Sequence, residues 1–508
     1  MKSKYIIGIC LLSFCIFFSS RSKAQNTNNQ TPQKREFRGA WFPTVTNGYW
    51  RNMSSKQIQE DIIKTLDSLA SIHINAVLFQ VRPQADAFFV SEYEPWSRFL
   101  TGTQGKAPDP FWDPAAFVIE QCHNRGMEMH AWINPYRVTS KESEVLAKGH
   151  LYHKKPHLFV KYGTQIYFNP AEPESREHTI KVIADFVKRY NVDAIHFDDY
   201  FYPYRIAGKE FPDEKSFIKY HKKDGFSKNQ KDDWRRNNVT ILVKAINDTI
   251  KKIKPWVKFG ISPFGVWRNA SKDSLGSNSN AGQTNYDDLF ADIRLWCIEG
   301  YIDYNVPQLY WSIGHKLADY KPLIEWWSKN KFKPQLYIGQ SLTTLLDTEL
   351  PDKSRENQLY KKINLLREQN NIDGNIWWPG TALAKDNKLM DSLRLNYQKY
   401  PALMPLYPQI DSIPPAPVIN LRQEGNNLMW DTEECTDPLN QAVFFAIYKF
   451  NKDEEIDIND ARKLLLITNK KVYQLPRVEN ESKFVIVAID RLWNESSFRY
   501  IVNTNLVP

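Results

Sequence analysis

Cysteine is scarce in this chain: 5 occur in 508 residues, and two of them, Cys10 and Cys15, fall within the first 24. The other three, Cys122, Cys297 and Cys435, lack the close spacing of a metal site, and their odd number does not suit a disulfide framework; they read as small buried hydrophobes. Beyond the first 24 residues no stretch is long and apolar enough to span a bilayer, so no transmembrane segment is expected in the mature chain. A dense basic run is also missing. The formal charge of +9 includes four residues near the start, Lys2, Lys4, Arg21 and Lys23, and the rest is scattered, so nucleic acid is not an expected partner. There is no Gly-rich phosphate loop and no Gly-x-Ser-x-Gly elbow, and Phe37 to Val45 holds no histidine, which removes the His-x-His of metal-dependent barrel hydrolases. His150, His153 and His157 read as solvated loop histidines, and neither metal nor other cofactor is expected.

What is abundant is aromatic: 14% of residues, with 16 Trp and 25 Tyr. The N-terminus has the form of an export signal over residues 1–24, with Lys2 and Lys4 ahead of the apolar stretch Tyr5 to Phe18 and the small-residue site Ser22-Lys23-Ala24. Cys10 follows Ile9 and Cys15 follows Phe14, neither a lipoprotein pattern. Export to the periplasm or outer surface is expected, with 25–35 a disordered N-terminus. Nothing in the pattern specifies an oligomer.

Residues 36–400 alternate short apolar or β-branched runs with helix-period stretches, the signature of βα units over a parallel sheet. Eight strands are expected near Phe37, Asn75, Met127, Val192, Val257, Ile302, Pro334 and Ile372, enough to close an α/β (β/α)8 barrel, or TIM barrel. Intervening helices are expected over Lys56 to Ile72, Pro114 to Arg125, Ser175 to Tyr190, Asp233 to Ile253, Tyr286 to Cys297 and Ser354 to Gln369. Prolines crowd 401–416, which reads as a linker. Residues 417–508 then change to short alternating strands around Trp430, fitting a small all-β immunoglobulin or fibronectin III-like sandwich.

The most informative run is His196-Phe197-Asp198-Asp199-Tyr200-Phe201-Tyr202-Pro203-Tyr204. Two carboxylates ending a strand offer acid/base chemistry, and the rings beside them offer faces for sugars. Strand alternation would send Asp198 and Asp199 to opposite faces. Other strand ends supply Arg38 and Trp41, Gln80 and Arg82, Asn134 and Tyr136, Trp267, then Gln308, Tyr310 and Trp311, and finally Trp377; Trp132, Gln340 and Trp378 sit at strand ends too. With His196, Tyr200 and Tyr202, the first eleven form the expected substrate-binding set, because amide, guanidinium and indole groups suit pyranose hydroxyls and C–H faces.

The motifs Arg38-Gly39-Ala40-Trp41, Gln80-Val81-Arg82-Pro83 with Asp86-Ala87, Trp132-Ile133-Asn134-Pro135-Tyr136-Arg137, Phe197 through Pro203 and Gln308-Leu309-Tyr310-Trp311 arrive in order at successive strands. In them the chain resembles the bacterial glycosyl hydrolase-like 10 family, and the resemblance implies an exported barrel glycosidase acting on an oligosaccharide or polysaccharide such as peptide-free peptidoglycan glycan. It does not assign a nucleophile. Glycosidases commonly pair two carboxyls about 5–5.5 Å apart when retaining and about 6.5–9.5 Å apart when inverting. Either a loop carboxylate, with Asp86, Glu92, Glu94 and Asp287 as candidates, completes such a pair, or the 2-acetamido group of a GlcNAc-containing substrate attacks. In that case Asp199 is the general acid and Asp198 the orienting carboxylate, roles that could be exchanged. The alternative is a non-catalytic glycan-binding protein on the same scaffold.

Overall fold

The computed structural model describes residues 32–45, 49–141, 143–346, 355–476 and 481–503. The expected export signal lies outside them, as does most of the expected disordered N-terminus. Among the described residues no helix is long and apolar enough to cross a membrane.

Eight parallel strands close a barrel: Phe37–Phe42, Ala76–Arg82, Glu128–Ile133, Ala194–Phe197, Lys258–Ile261, Tyr304–Asn305, Gln335–Ser341 and Gly374–Trp378. Closure comes from the first strand pairing with the last, Phe37 against Gly374 through Ala40 against Trp377. Every expected strand is present, although the sixth is reduced to two residues.

Because side chains alternate along a strand, each barrel strand feeds two cores. Val77, Phe79 and Val81, with Met129, Ala131 and Ile133, join the layer under the helices. Ala76 and Leu78, with Phe37, Trp41, Tyr304 and Ile376, fill the barrel interior. Space for the large interior rings comes from glycine. A Cβ on Gly260 would meet the Tyr304 ring at 2.0 Å, so that strand position must stay bare.

The helices fall close to expectation, as in Ser55–Ala70 with a Ser54–Gln57 capping box, Pro173–Arg189 and Lys231–Ile253. The stretch expected as one helix over Tyr286 to Cys297 is instead two, Asn285–Asp288 and Ile293–Glu299, with Asp292 capping the second through the Leu295 amide. Phe290, at φ 50, breaks the helical path between them. The insertion after the third strand carries an antiparallel hairpin, Phe159–Tyr162 with Gln165–Phe168.

The Pro-rich segment is not a free tether. Leu403 accepts a hydrogen bond from the Glu36 amide at 2.9 Å, and Ala402, Leu403, Met404 and Tyr407 are buried beneath the barrel. Prolines stiffen the segment while its apolar residues find a surface to cover, which composition alone does not reveal.

Beyond it lie two antiparallel sheets, one of three strands and one of four. They share a core of Val418, Leu428, Trp430, Phe445, Ile447, Phe484 and Ile486. The opposite face of the larger sheet packs with the barrel-bottom residues Leu403, Met404 and Tyr407 through Phe444, Ala446 and Trp493. Trp493 has φ 67, a conformation costly for a bulky side chain. It is held there by Asp490, whose carboxylate accepts from the Leu492 and Asn494 amides at 2.8 and 2.9 Å. So placed, the indole N–H reaches up to Glu128 Oε1 at 2.6 Å.

Candidate active site

A cavity of about 330 Å³ opens where the barrel strands end. This is the face on which loops after parallel strands gather side chains from distant parts of a chain. Trp41, Trp132, Trp378 and Tyr310 form its aromatic base, with Trp378 edge-on to both Trp41 and Trp132 at 6.4 and 5.8 Å. Tyr200, Tyr204, Phe264, Trp311 and Gln308 complete the wall around Asp198 and Asp199.

The expectation that the two aspartates diverge is corrected here. The fourth strand ends at Phe197, whose carbonyl accepts the last ladder bond from the Ser262 amide at 2.8 Å. Alternation lasts only as long as the ladder, and beyond it the backbone turns so that both carboxylates line the cavity. Both are buried, at 3% and 2% exposure.

Their surroundings differ. Asp198 accepts from Trp132 Nε1 at 3.0 Å, from Asn134 Nδ2 at 3.2 Å to each oxygen, and from the Tyr200 amide at 3.4 Å. Arg137 Nη2 stands 3.8 Å away. Burial raises its pKa, while Arg137 and these donors pull it back toward ionisation. Asp199 receives the Tyr204 hydroxyl. Burial first, and the adjacent Asp198 charge second, push its pKa up to about 7. Burial raises both carboxyls, but Asp198 is surrounded by donors and a cation that favour its charged form, whereas Asp199 can hold and release a proton near neutrality.

Beneath them a polar column descends the barrel axis. Trp41 Nε1 donates to His196 Nε2 at 3.3 Å, Ser262 Oγ lies 3.0 Å from the same nitrogen, and Tyr304 OH is 3.1 Å from His196 Nδ1 and 2.9 Å from His130 Nδ1. His130 Nε2 then meets Glu128 at 2.7 Å, and Lys258 Nζ meets the same carboxylate at 2.6 Å. A His196 ring accepting at Nε2 carries its proton on Nδ1, so every donor in the column points toward Glu128. Burial holds His196 well below its ordinary pKa, hence neutral.

Residues 36–382 match the family described as glycosyl hydrolase-like 10. This chain belongs to that family. A relative, the glycosyl hydrolase YngK of Bacillus subtilis, is 40% identical over 512 residues, covering 97% of each chain. The glycosyl hydrolase DigH of Escherichia coli K12 is 38% identical over 341 residues, covering 63% of this chain and 75% of its own.

Of the residues expected at this glycosyl hydrolase-like 10 site, Asp198, Asp199, Trp41, Tyr200, Gln308, Tyr310 and Trp311 line the cavity. His196 sits just below. Asn134 faces it through Asp198, while its Oδ1 accepts the Arg137 amide at 2.8 Å and so fixes its own orientation. The remainder lie elsewhere. Arg38 points into the helix layer near the barrel bottom, bonded to Glu36 at 2.7 Å and to the Tyr400 carbonyl at 2.7 Å. Gln80 Oε1 accepts the Thr44 and Val45 amides, at 3.0 Å each, and so anchors the loop after the first strand. Arg82 is fully buried, gripping Glu94 through two nitrogens and donating to the Asn134 carbonyl. Tyr136 and Tyr202 are core, the latter edge-on to Phe211 and Phe290 at 5.0 Å. Trp267 stacks on Trp326 at 5.9 Å. Trp377 faces the helices, and its neighbour Trp378 takes the mouth.

The four loop carboxylates do not reach the cavity either. Glu94 is paired with Arg82 and His178, Glu92 with Arg189, and Asp287 with Arg268, while Asp86 is buried against Gln104. Ser262 and Phe264 line the wall without having been anticipated; their small and apolar side chains carry no chemical signature.

Proposed function

We propose that this protein is an exported glycoside hydrolase that cleaves a GlcNAc-containing polysaccharide, with peptidoglycan glycan strands as the natural substrate, by substrate-assisted catalysis. The observation that carries the reading is the pair of adjacent, differently tuned aspartates in one aromatic-walled cavity, with no other carboxylate lining it among the described residues. Asp198, ionised, accepts the acetamido N–H and turns the carbonyl oxygen toward the anomeric carbon. That oxygen forms a bond to C1 as the C1–O bond breaks, and Asp199 gives its proton to the departing oxygen. The cyclic oxazolinium intermediate then takes water at C1, Asp199 accepting the water's proton, so the acetamido group is restored and the anomeric configuration is retained. Trp41, Trp132 and Trp378 supply apolar faces for the sugar. The two C-terminal sheets are read as a fibronectin III-like module, and the chain is placed in the periplasm or at the outer surface.

Peptide-free glycan strands, intact peptidoglycan and chitin fragments, incubated with the full chain and read by mass spectrometry, test the proposal. Cleavage of N-acetylated strands with retention at C1, and none of chemically de-N-acetylated strands, is expected. Equal cleavage of the de-N-acetylated material would remove the acetamido group from the mechanism. Binding without cleavage would favour the non-catalytic alternative.

The pH dependence follows from the same pair. Asp198 must be ionised and Asp199 protonated, so kcat/KM should rise as Asp198 ionises, displaced upward from the ordinary carboxylate range by burial, and fall as pH passes about 7. Asp198→Asn removes the neighbouring negative charge, so the pKa of Asp199 drops and the residual activity should decline at lower pH than in the wild type. An alkaline limb that stays in place would show that Asp199 does not set it.

A further inference from the structure

Arg137 is a guanidinium beside the cavity, set against its lining residues Tyr200 and Asp198. It leaves the third strand's C-terminal end within the Asn134–Arg137 turn, where its backbone bridges to Tyr167 of the inserted hairpin. Its side chain is 13% exposed, and its Cζ lies over the cavity-lining Tyr200 ring, 4.4 Å from the centroid. Nε is buried without a partner, and the approach to Asp198 is 3.8 Å, beyond hydrogen-bond reach. Arg82 and Arg235 behave otherwise: each is deeply buried and each grips a carboxylate through two nitrogens, Glu94 and Asp213 respectively. A guanidinium carries five donors in a planar fork matched to two oxygens, and leaving the buried Nε–H unmet is costly. Tyr200 holds the group by its ring face without consuming its N–H bonds, as preorganised anion binding requires.

We propose that Arg137 binds a carboxylate carried by a sugar adjacent to the one whose bond is cleaved, so that the preferred substrate is an anionic, carboxyl-bearing glycan rather than a neutral one. This rests on the hydrolase reading above and goes beyond it by assigning a specificity residue. The electrostatics are consistent. With Asp199 protonated, the Asp198 charge is balanced by Arg137, so an incoming carboxylate meets a net-neutral pair rather than a negative cavity and approaches it from the guanidinium side. The neutral glycan lacks the group that would satisfy the fork, and it leaves the donors to water.

The test uses the full chain, its Arg137→Met and Arg137→Lys variants, and one glycan in two forms: carboxylated, and with its carboxyls reduced to primary alcohols. Methionine keeps the apolar contact with Tyr200 and removes the charge. Wild type should bind the carboxylated oligosaccharide about 10–100-fold more tightly by calorimetry, the range for charge-assisted hydrogen bonds. In Arg137→Met that preference should vanish, the two forms binding alike by calorimetry and their kcat/KM values becoming equal through a higher KM on the carboxylated form, while the loss of Asp198's counter-charge acts on both forms alike; Arg137→Lys should recover part of the preference. A wild type that binds both forms equally overturns the proposal. So does an Arg137→Met variant that loses kcat alike on both forms while keeping the wild-type preference, which would confine Arg137 to positioning Asp198. Because binding is read without turnover, discrimination by a wild type that cleaves neither glycan would sustain Arg137's role while rejecting hydrolysis.

Discussion

Asp199→Asn should lower kcat on an N-acetylated glycan by about 10²–10⁴-fold, the range for losing a positioned general acid, with KM little changed. Asparagine keeps the shape of the side chain and an acceptor for the Tyr204 hydroxyl, so the cavity should stay intact. Stability separates this from a folding defect. Asp199 has a folded-state pKa raised above that of an unfolded carboxylate, so the folded state is favoured at low pH and loses stability as pH rises through about 7. The asparagine variant should escape that loss and be at least as resistant to denaturant as the wild type at pH 8, while almost inactive. Asp198→Asn is expected to lose at least a hundredfold as well, since the amide cannot accept in the same way from Trp132, Asn134 and the substrate. If both variants keep full turnover with binding and fold intact, the aspartates are not the catalytic pair.

Removing residues from Pro414 onward should leave a barrel that aggregates or unfolds at markedly lower denaturant concentration. The cut strips Trp493 from Glu128, separates Arg35 from Glu495 at 2.7 Å and exposes the apolar patch around Leu403, Met404 and Tyr407. Trp493→Ala tests the same contact with the chain entire. It should cost about 3–5 kcal/mol by denaturant titration, the usual range for emptying a Trp site, and any fall in turnover should follow the fraction unfolded. A soluble truncated barrel with unchanged midpoint and unchanged turnover would reduce the module to a passenger.

The barrel was legible because its signal is repeated. Each strand is a short apolar run, each is followed by a helix-period stretch, and the count of eight has a closed solution. The chemical pair was legible for a local reason, two acids and a chain of rings in one peptide. What misled was phase and depth. Trp377 and Trp378 are adjacent, and only the pleat decides that the second faces the mouth. Arg38 and Trp41 share a strand, but three residues carry the chain from the floor to the mouth and from the helix side to the interior. By residue type Arg82 suits pyranose hydroxyls at a strand end, but its partner Glu94 comes from a loop whose path no periodicity specifies. Asp198 and Asp199 themselves were separated by a rule that applies inside a ladder and had already ended at Phe197.

The floor of the barrel also constrains the order in which this molecule can be finished. Trp493 stands within the last sixteen residues, yet it caps a column whose upper end, at His196 and Trp41, touches the base of the cavity. The first strand likewise waits for Gly374 before it has a second neighbour. A chain made from its N-terminus therefore holds an open barrel until Gly374–Trp378 is available, and an unsealed, charged floor until Trp493 is. Completion waits for the sheets that carry Trp493 to the barrel floor, and the protein is expected to melt in one transition rather than shedding those sheets first.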